Sequence, residues 1–145
     1  RGFAMRLAHL GKPTYWLMDD TTIGMHEGDL LIISDGFGDV GIHRRIEERA
    51  SKTGAKVAII TGLPEGGNVK NFADFVLFIP AAVYMGKDRE DPDAPRQHDV
   101  VPTIQPMGNL YEQHLYLLMD IAAILIKDEM GLTYDDMEAN HRNIE

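Results

Sequence analysis

The sequence predicts a three-layer α/β protein, a parallel sheet with helices on both faces. Two observations carry this. Short unbroken apolar runs, of which Leu-Leu-Ile-Ile at 30–33 is the clearest, suit strands buried on both faces. These runs alternate with stretches of helical periodicity, the pattern of βα units. At 145 residues the chain is long enough for one domain with a real core.

The elements follow in order. Residues 3–10 are helical in pattern, with Phe3, Leu7 and Leu10 on one stripe and Gly11 as the stop. A short strand is expected at 14–18 after Pro13, then a polar loop over 19–28. The strand at 30–33 opens through a glycine-rich turn onto a helix at 39–53. Val40, Ile42, Ile46 and Ala50 of that helix are expected to face inward, Asp39 to cap it, and Gly54 to end it. Lys-Val-Ala-Ile-Ile-Thr at 56–61 is a third strand, 68–73 a short helix, and 75–79 a fourth strand stopped by Pro80. Residues 84–102 are charged and proline-rich and read as an exposed excursion. A long helix spans about 110–129 and closes at Gly131. Thr133 and Asp136 form a capping box for a last short helix through His141. Because the first element is a helix, the topology implies a strand before Arg1. The expectation is therefore a single domain over 1–145 that is N-terminally incomplete.

Composition narrows the function. The net charge is −9, which argues against general nucleic-acid binding. There is no cysteine, so disulfides, thiol catalysis and thiolate metal sites are excluded, and a cytoplasmic location is the default. No apolar run approaches the roughly 20 residues of a membrane span. No metal-ligand spacing is visible, and His9, His26 and His43 have no cluster partner in the sequence. Neither metal nor cofactor is expected.

In a parallel sheet, ligands sit beyond the carboxyl ends of the strands. The relevant loops are 19–24, 34–39, 62–67 and the segment leading into the long helix. Of these, Ser34-Asp-Gly-Phe-Gly-Asp39 is the most informative. A buried strand that opens through glycines onto a helix N-terminus presents free N–H groups to an anion, above all phosphate. This points to a phosphorylated small molecule. Ser34, Gly36, Gly38 and Asp39 are the candidate phosphate-binding positions.

Four stretches carry a family resemblance: Phe3-Ala-Met-Arg-Leu with His9-Leu-Gly11, Gly28-Asp-Leu-Leu-Ile, Ile104-Gln-Pro-Met-Gly-Asn-Leu-Tyr-Glu-Gln113, and His141-Arg-Asn-Ile-Glu145. In this order they resemble the sugar isomerase (SIS) domain family, and within it the 6-phospho-3-hexuloisomerases. The resemblance implies a flavodoxin-like αβα fold, a homodimer or homotetramer, no metal, and interconversion of 3-hexulose 6-phosphate and fructose 6-phosphate. It also implies that Asp20, Thr21, Thr22, Gly108 and Asn109 contribute to substrate binding. Asp20 falls where the family has glutamate, and Asn109 where it has Thr or Ser.

The loop departs from the family pattern Ser-Gly-Ser-Gly-Glu-Thr. With one inserted residue, Phe37 replaces a serine and Val40 a threonine. Hydrogen bonds to charged groups contribute about 1.5–3 kcal/mol each, so losing two weakens phosphate binding on the order of a hundredfold or more. Ser34, Thr21, Thr22 and backbone N–H groups are the candidates to compensate.

Moving a carbonyl between C3 and C2 needs a base for a carbon-bound proton and an acid for proton shuttling between oxygens. Glu112, in the first turn of the long helix, is the candidate base. The bland alternative is a first-turn carboxylate that only complements the helix dipole. His141 is the candidate for the acid or for ring opening, weighed against a solvated histidine on a terminal helix. His98 and His114 are weaker candidates for lining the site. Two functions stand side by side: a working isomerase, favoured by Glu112 and His141, and a non-catalytic SIS-type phosphosugar-binding or regulatory module, favoured by Phe37 and Val40. The long helix is apolar nearly all round, which predicts burial against a second copy.

Overall fold

In the computed structural model, residues 1–84 and 100–144 are described. Most of the excursion expected at 84–102, with His98, lies outside them. The elements are α1 (Gly2–His9), β1 (Leu30–Ser34), α2 (Gly41–Lys52), β2 (Lys56–Thr61), α3 (Gly67–Phe72), β3 (Phe75–Phe78), α4 (Asn109–Glu129) and α5 (Tyr134–Ala139). The chain divides into two compact units, Arg1–Gly24 with Leu115–Glu145, and Met25–His114.

The second unit holds the sheet. Its order is β1-β2-β3 and both pairings are parallel, with Leu31 opposite Val57, Ile33 opposite Ile59, and Ile59 opposite Val76. Side chains alternate across a strand, so Leu31, Ile33, Val57 and Ile59 share one face. With Ala50 of α2 and Val69 of α3 they form the buried core, joined by Met25, Ile46 and Ala73. The mixed α/β architecture with parallel strands is the one the sequence predicts. Burial on both faces of β1 is not: Leu30 and Ile32 stay 50% and 40% exposed, and every residue of the edge strand β3 is exposed.

Two further expectations are corrected here. The buried face of α2 runs through Glu47 and Ala50, with His43 and Ile46 half-buried, while Ile42 is exposed. The four positions keep the i, i+3, i+4, i+7 stripe, but a histidine and a glutamate fill two of them. Asp39 does not cap α2. The N-cap is Val40, which offers no side-chain oxygen.

The first unit holds α1, α5 and most of α4. Arg6 pairs with Asp120 at 3.2 Å. Thr133 and Asp136 close the expected capping box. Residues 14–18 form no strand. Among the described residues no strand ladder includes them, and an apolar run takes strand geometry only with a neighbour to complete its ladder. Asp19 N–H donates to Trp16 O instead and turns the chain. Among the described residues no helix is long and apolar enough to cross a membrane.

Candidate active site

The loop after β1 is built around one carboxylate. Asp35 is fully buried. Its oxygens accept Gly38 N–H at 2.8 Å, Val40 N–H at 3.1 Å and the Asn68 side-chain amide at 3.0 Å. Asp35 thus does from inside what Asp39 was expected to do from the end: it satisfies donors at the start of α2. Asn68 Nδ2 also donates to Val40 O, and its backbone N–H donates to Gly38 O, which ties α3 to the loop. Gly38 sits at φ 73°, and a Cβ there would stand 2.7 Å from Leu63 O, so only glycine fits.

This arrangement decides which N–H groups remain for a ligand. Gly38 and Val40 are committed to Asp35. The backbone N–H groups of Gly36, Phe37 and Asp39 have no partner among the described residues. Phe37 and Val40 are half-buried and Asp39 is exposed.

Beneath the loop lies a second acid that sequence reasoning missed. Glu47 is fully buried and neither carboxyl oxygen has a hydrogen-bond partner among the described residues. Burial first, then the nearby charges of Asp35 and Asp39, push its carboxyl up from 4.5 to about 7. His43, one turn earlier on α2, has Nδ1 3.5 Å from Asp35 Oδ2. His43 has no cluster partner in the sequence, and the fold brings it close to Asp35 without a hydrogen bond to its Nδ1 among the described residues.

The first turn of α4 meets the same strand ends through Tyr111. Its hydroxyl donates to Ile60 O at 2.8 Å and lies 3.1 Å from Ser34 Oγ. Its ring covers Gly36, where a Cβ would come within 3.2 Å of Cε1. Burial chiefly, with the Asp35 charge adding and the Ser34 contact opposing, pushes the hydroxyl to about 12. Tyr111 therefore keeps its proton across the physiological range. Glu112 follows it, exposed, with its N–H on Gly108 O at 3.1 Å. The approach to α4 turns through two left-handed residues, Met107 at φ 59° and Gly108 at φ 82°. Such backbone at a non-glycine residue stores strain and often marks a functional turn. Asn109 is exposed. His114 Nδ1 donates to Leu110 O, so its role in the helix is local.

The remaining candidates lie in the first unit. Asp19 Oδ1 accepts the Thr21 hydroxyl at 2.6 Å and the Thr21 N–H at 2.9 Å, and these two bonds lower its carboxyl. The Thr22 hydroxyl donates to Trp16 O. Both threonine protons are thus directed at their own loop, and Asp20 is exposed beside them. His141 lies just past α5, exposed, with its ring 4.8 Å from that of His9. That pairing gives His9 the neighbour its sequence position did not suggest. No three His, Asp or Glu side chains cluster as a metal site among the described residues.

The parallel sheet, the loop onto α2 and the carboxylate at the head of α4 belong to one α/β unit, Met25–His114. A comparison with protein-family models finds no match. The chain is 32% identical over 145 residues to the 3-hexulose-6-phosphate isomerase of Bacillus subtilis, covering all of this chain and 72% of that protein. It is 30% identical over 142 residues to the protein of the same name in Mycobacterium gastri, covering 98% and 65%. The chain belongs to the 3-hexulose-6-phosphate isomerase family. A crystal structure from Methanococcus jannaschii, described as inferring a 3-hexulose-6-phosphate isomerase function, superposes with a TM-score of 0.78 at 25% identity, covering this chain fully and 71% of the other. A second solved hypothetical protein gives the same score over 99% of this chain and 70% of its own.

Proposed function

We propose that the protein is a sugar-phosphate isomerase interconverting 3-hexulose 6-phosphate and fructose 6-phosphate, with Glu112 as the base. Glu112 takes the proton from C2 of the 3-ketose, and those electrons form the C2–C3 double bond as O3 gains a proton. The resulting enediol loses the O2 proton as the C2 carbonyl forms, and C3 takes a proton back. The observation that carries the reading is the pairing of family membership with an exposed carboxylate in the first turn of α4, next to the tyrosine bonded to the ends of β1 and β2. His141 is the acid in this reading. Phosphate is held by the N–H groups of Gly36, Phe37 and Asp39, and by the start of α2. The reading takes no metal or cofactor, a homodimer or homotetramer, and a cytoplasmic location without nucleic-acid or membrane partners. An isomerisation assay coupled to fructose 6-phosphate consumption tests it, with turnover lost in Glu112→Gln.

A second reading is favoured by Asp35. Its carboxylate already occupies two N–H groups that an incoming phosphate would use. A module that binds phosphosugar weakly and does not turn it over fits that observation, and binding without turnover in the same assay would select it.

A further inference from the structure

The hydroxyl protons at the end of β1 can be counted. Ile60 O can only accept, and Tyr111 Oη, 2.8 Å away, has one proton, so that proton goes to Ile60. Ser34 Oγ is 3.1 Å from the same Tyr111 oxygen. With the tyrosine proton committed, this contact is a hydrogen bond only if Ser34 donates. Ser34 is then left with lone pairs alone. A phosphate oxygen also offers lone pairs, and the two repel. A sugar hydroxyl has a proton to give.

We propose that Tyr111 is a specificity-determining positioning residue: by taking the Ser34 proton it makes Ser34 an acceptor for a hydroxyl of the sugar instead of a donor to the phosphate. The proposal rests on the phosphosugar reading above. It differs from the sequence expectation, which gave Ser34 to the phosphate. The packing keeps the arrangement fixed, because Tyr111 is 5% exposed and its ring lies against Gly36. Both partners can be removed without leaving an orphan. Ile60 O keeps Asp35 N–H at 3.0 Å when the tyrosine hydroxyl is gone. Tyr111 keeps Ile60 when the serine hydroxyl is gone.

The test is a set of titrations with fructose 6-phosphate by calorimetry and with inorganic phosphate by phosphorus NMR. They are run on the parent, Ser34→Ala, Tyr111→Phe and the double variant. Ser34→Ala is expected to weaken fructose 6-phosphate by about three- to tenfold, the loss of a neutral hydrogen bond, and to move inorganic phosphate by less than about twofold. Tyr111→Phe frees the serine proton and is expected to tighten inorganic phosphate about tenfold, a gain that the double variant loses. If Ser34→Ala weakens both ligands by the same factor in the parent background, or Tyr111→Phe leaves phosphate unchanged, the proposal is overturned while the phosphosugar reading stands. If no form binds either ligand, the phosphosugar reading fails and the proposal fails with it.

Discussion

Asp35 and Asn68 meet in a fully buried hydrogen bond of 3.0 Å that joins the loop after β1 to α3. The same carboxylate holds Gly38 and Val40. One side chain therefore sets the shape of the loop to which the proposed reading assigns the phosphate.

Removing the amide should loosen that loop. Asn68→Ala deletes the donor to Asp35 and to Val40 O and leaves the carboxylate short of a partner. A loss of about 1.5–3 kcal/mol is expected, the range for hydrogen bonds to charged groups. Urea unfolding monitored by circular dichroism checks it, and a change below about 0.5 kcal/mol would place the loop's support elsewhere.

Glu47 predicts a pH dependence of stability. Its folded carboxyl titrates at about 7, above the ordinary 4.5, so the folded protein holds a proton that the unfolded chain releases. That contribution is fully present below 4.5 and is lost as pH rises to and through about 7. The slope in this window is at most about 1.4 kcal/mol per pH unit. The lowered carboxyls of Asp74 and Asp136 act in the opposite sense and only at more acidic pH. Denaturation of the parent between about pH 5 and pH 8 should show the decline, and Glu47→Gln should flatten it. An unchanged slope in that variant would assign the titration to another group.

The apolar stripe of α4 predicts assembly. Leu117, Ile121 and Ile124 repeat at helical spacing and are 53–59% exposed, with Leu125 beside them at 63%. A homodimer or homotetramer that covers this stripe is expected in light scattering at micromolar concentration, and Ile121→Lys should shift it toward monomer. A monomeric parent would contradict the expectation.

Restoring hydroxyls to the loop should tighten phosphosugar binding. Phe37→Ser and Val40→Thr place donors near Gly36 and the start of α2. A tenfold or greater gain for fructose 6-phosphate is expected from one to two new charge-assisted bonds, about 1.5–3 kcal/mol each. Calorimetry on the double variant checks it. No gain would show that these two positions do not face the ligand.

Much of this molecule was legible in the sequence. The runs at 30–33, 56–61 and 75–79 became β1, β2 and β3 within one residue at each end, because short apolar runs stopped by Gly or Pro have few other uses. The capping box at Thr133 held for the same local reason. The misses share a different cause. The 14–18 run depends on a ladder partner, which no local pattern reveals. Glu47 and His43 sit on the inward face of α2, where a hydrophobicity pattern does not place polar residues. Nothing local in the run 34–39 assigns Asp35 a role, and only the folded turn shows its oxygens facing inward to Gly38 and Val40. The one local sign of Tyr111 is a hydroxyl-bearing aromatic adjacent to the candidate base at the head of a helix.

The most direct measurement is the turnover of 3-hexulose 6-phosphate to fructose 6-phosphate by the parent and by Glu112→Gln. The account predicts turnover in the parent and a fall of about 10²–10⁴-fold in kcat for the variant, with fructose 6-phosphate affinity nearly unchanged. Turnover that survives Glu112→Gln would contradict the assignment of the base, and a parent that binds fructose 6-phosphate without turnover would contradict the isomerase reading itself.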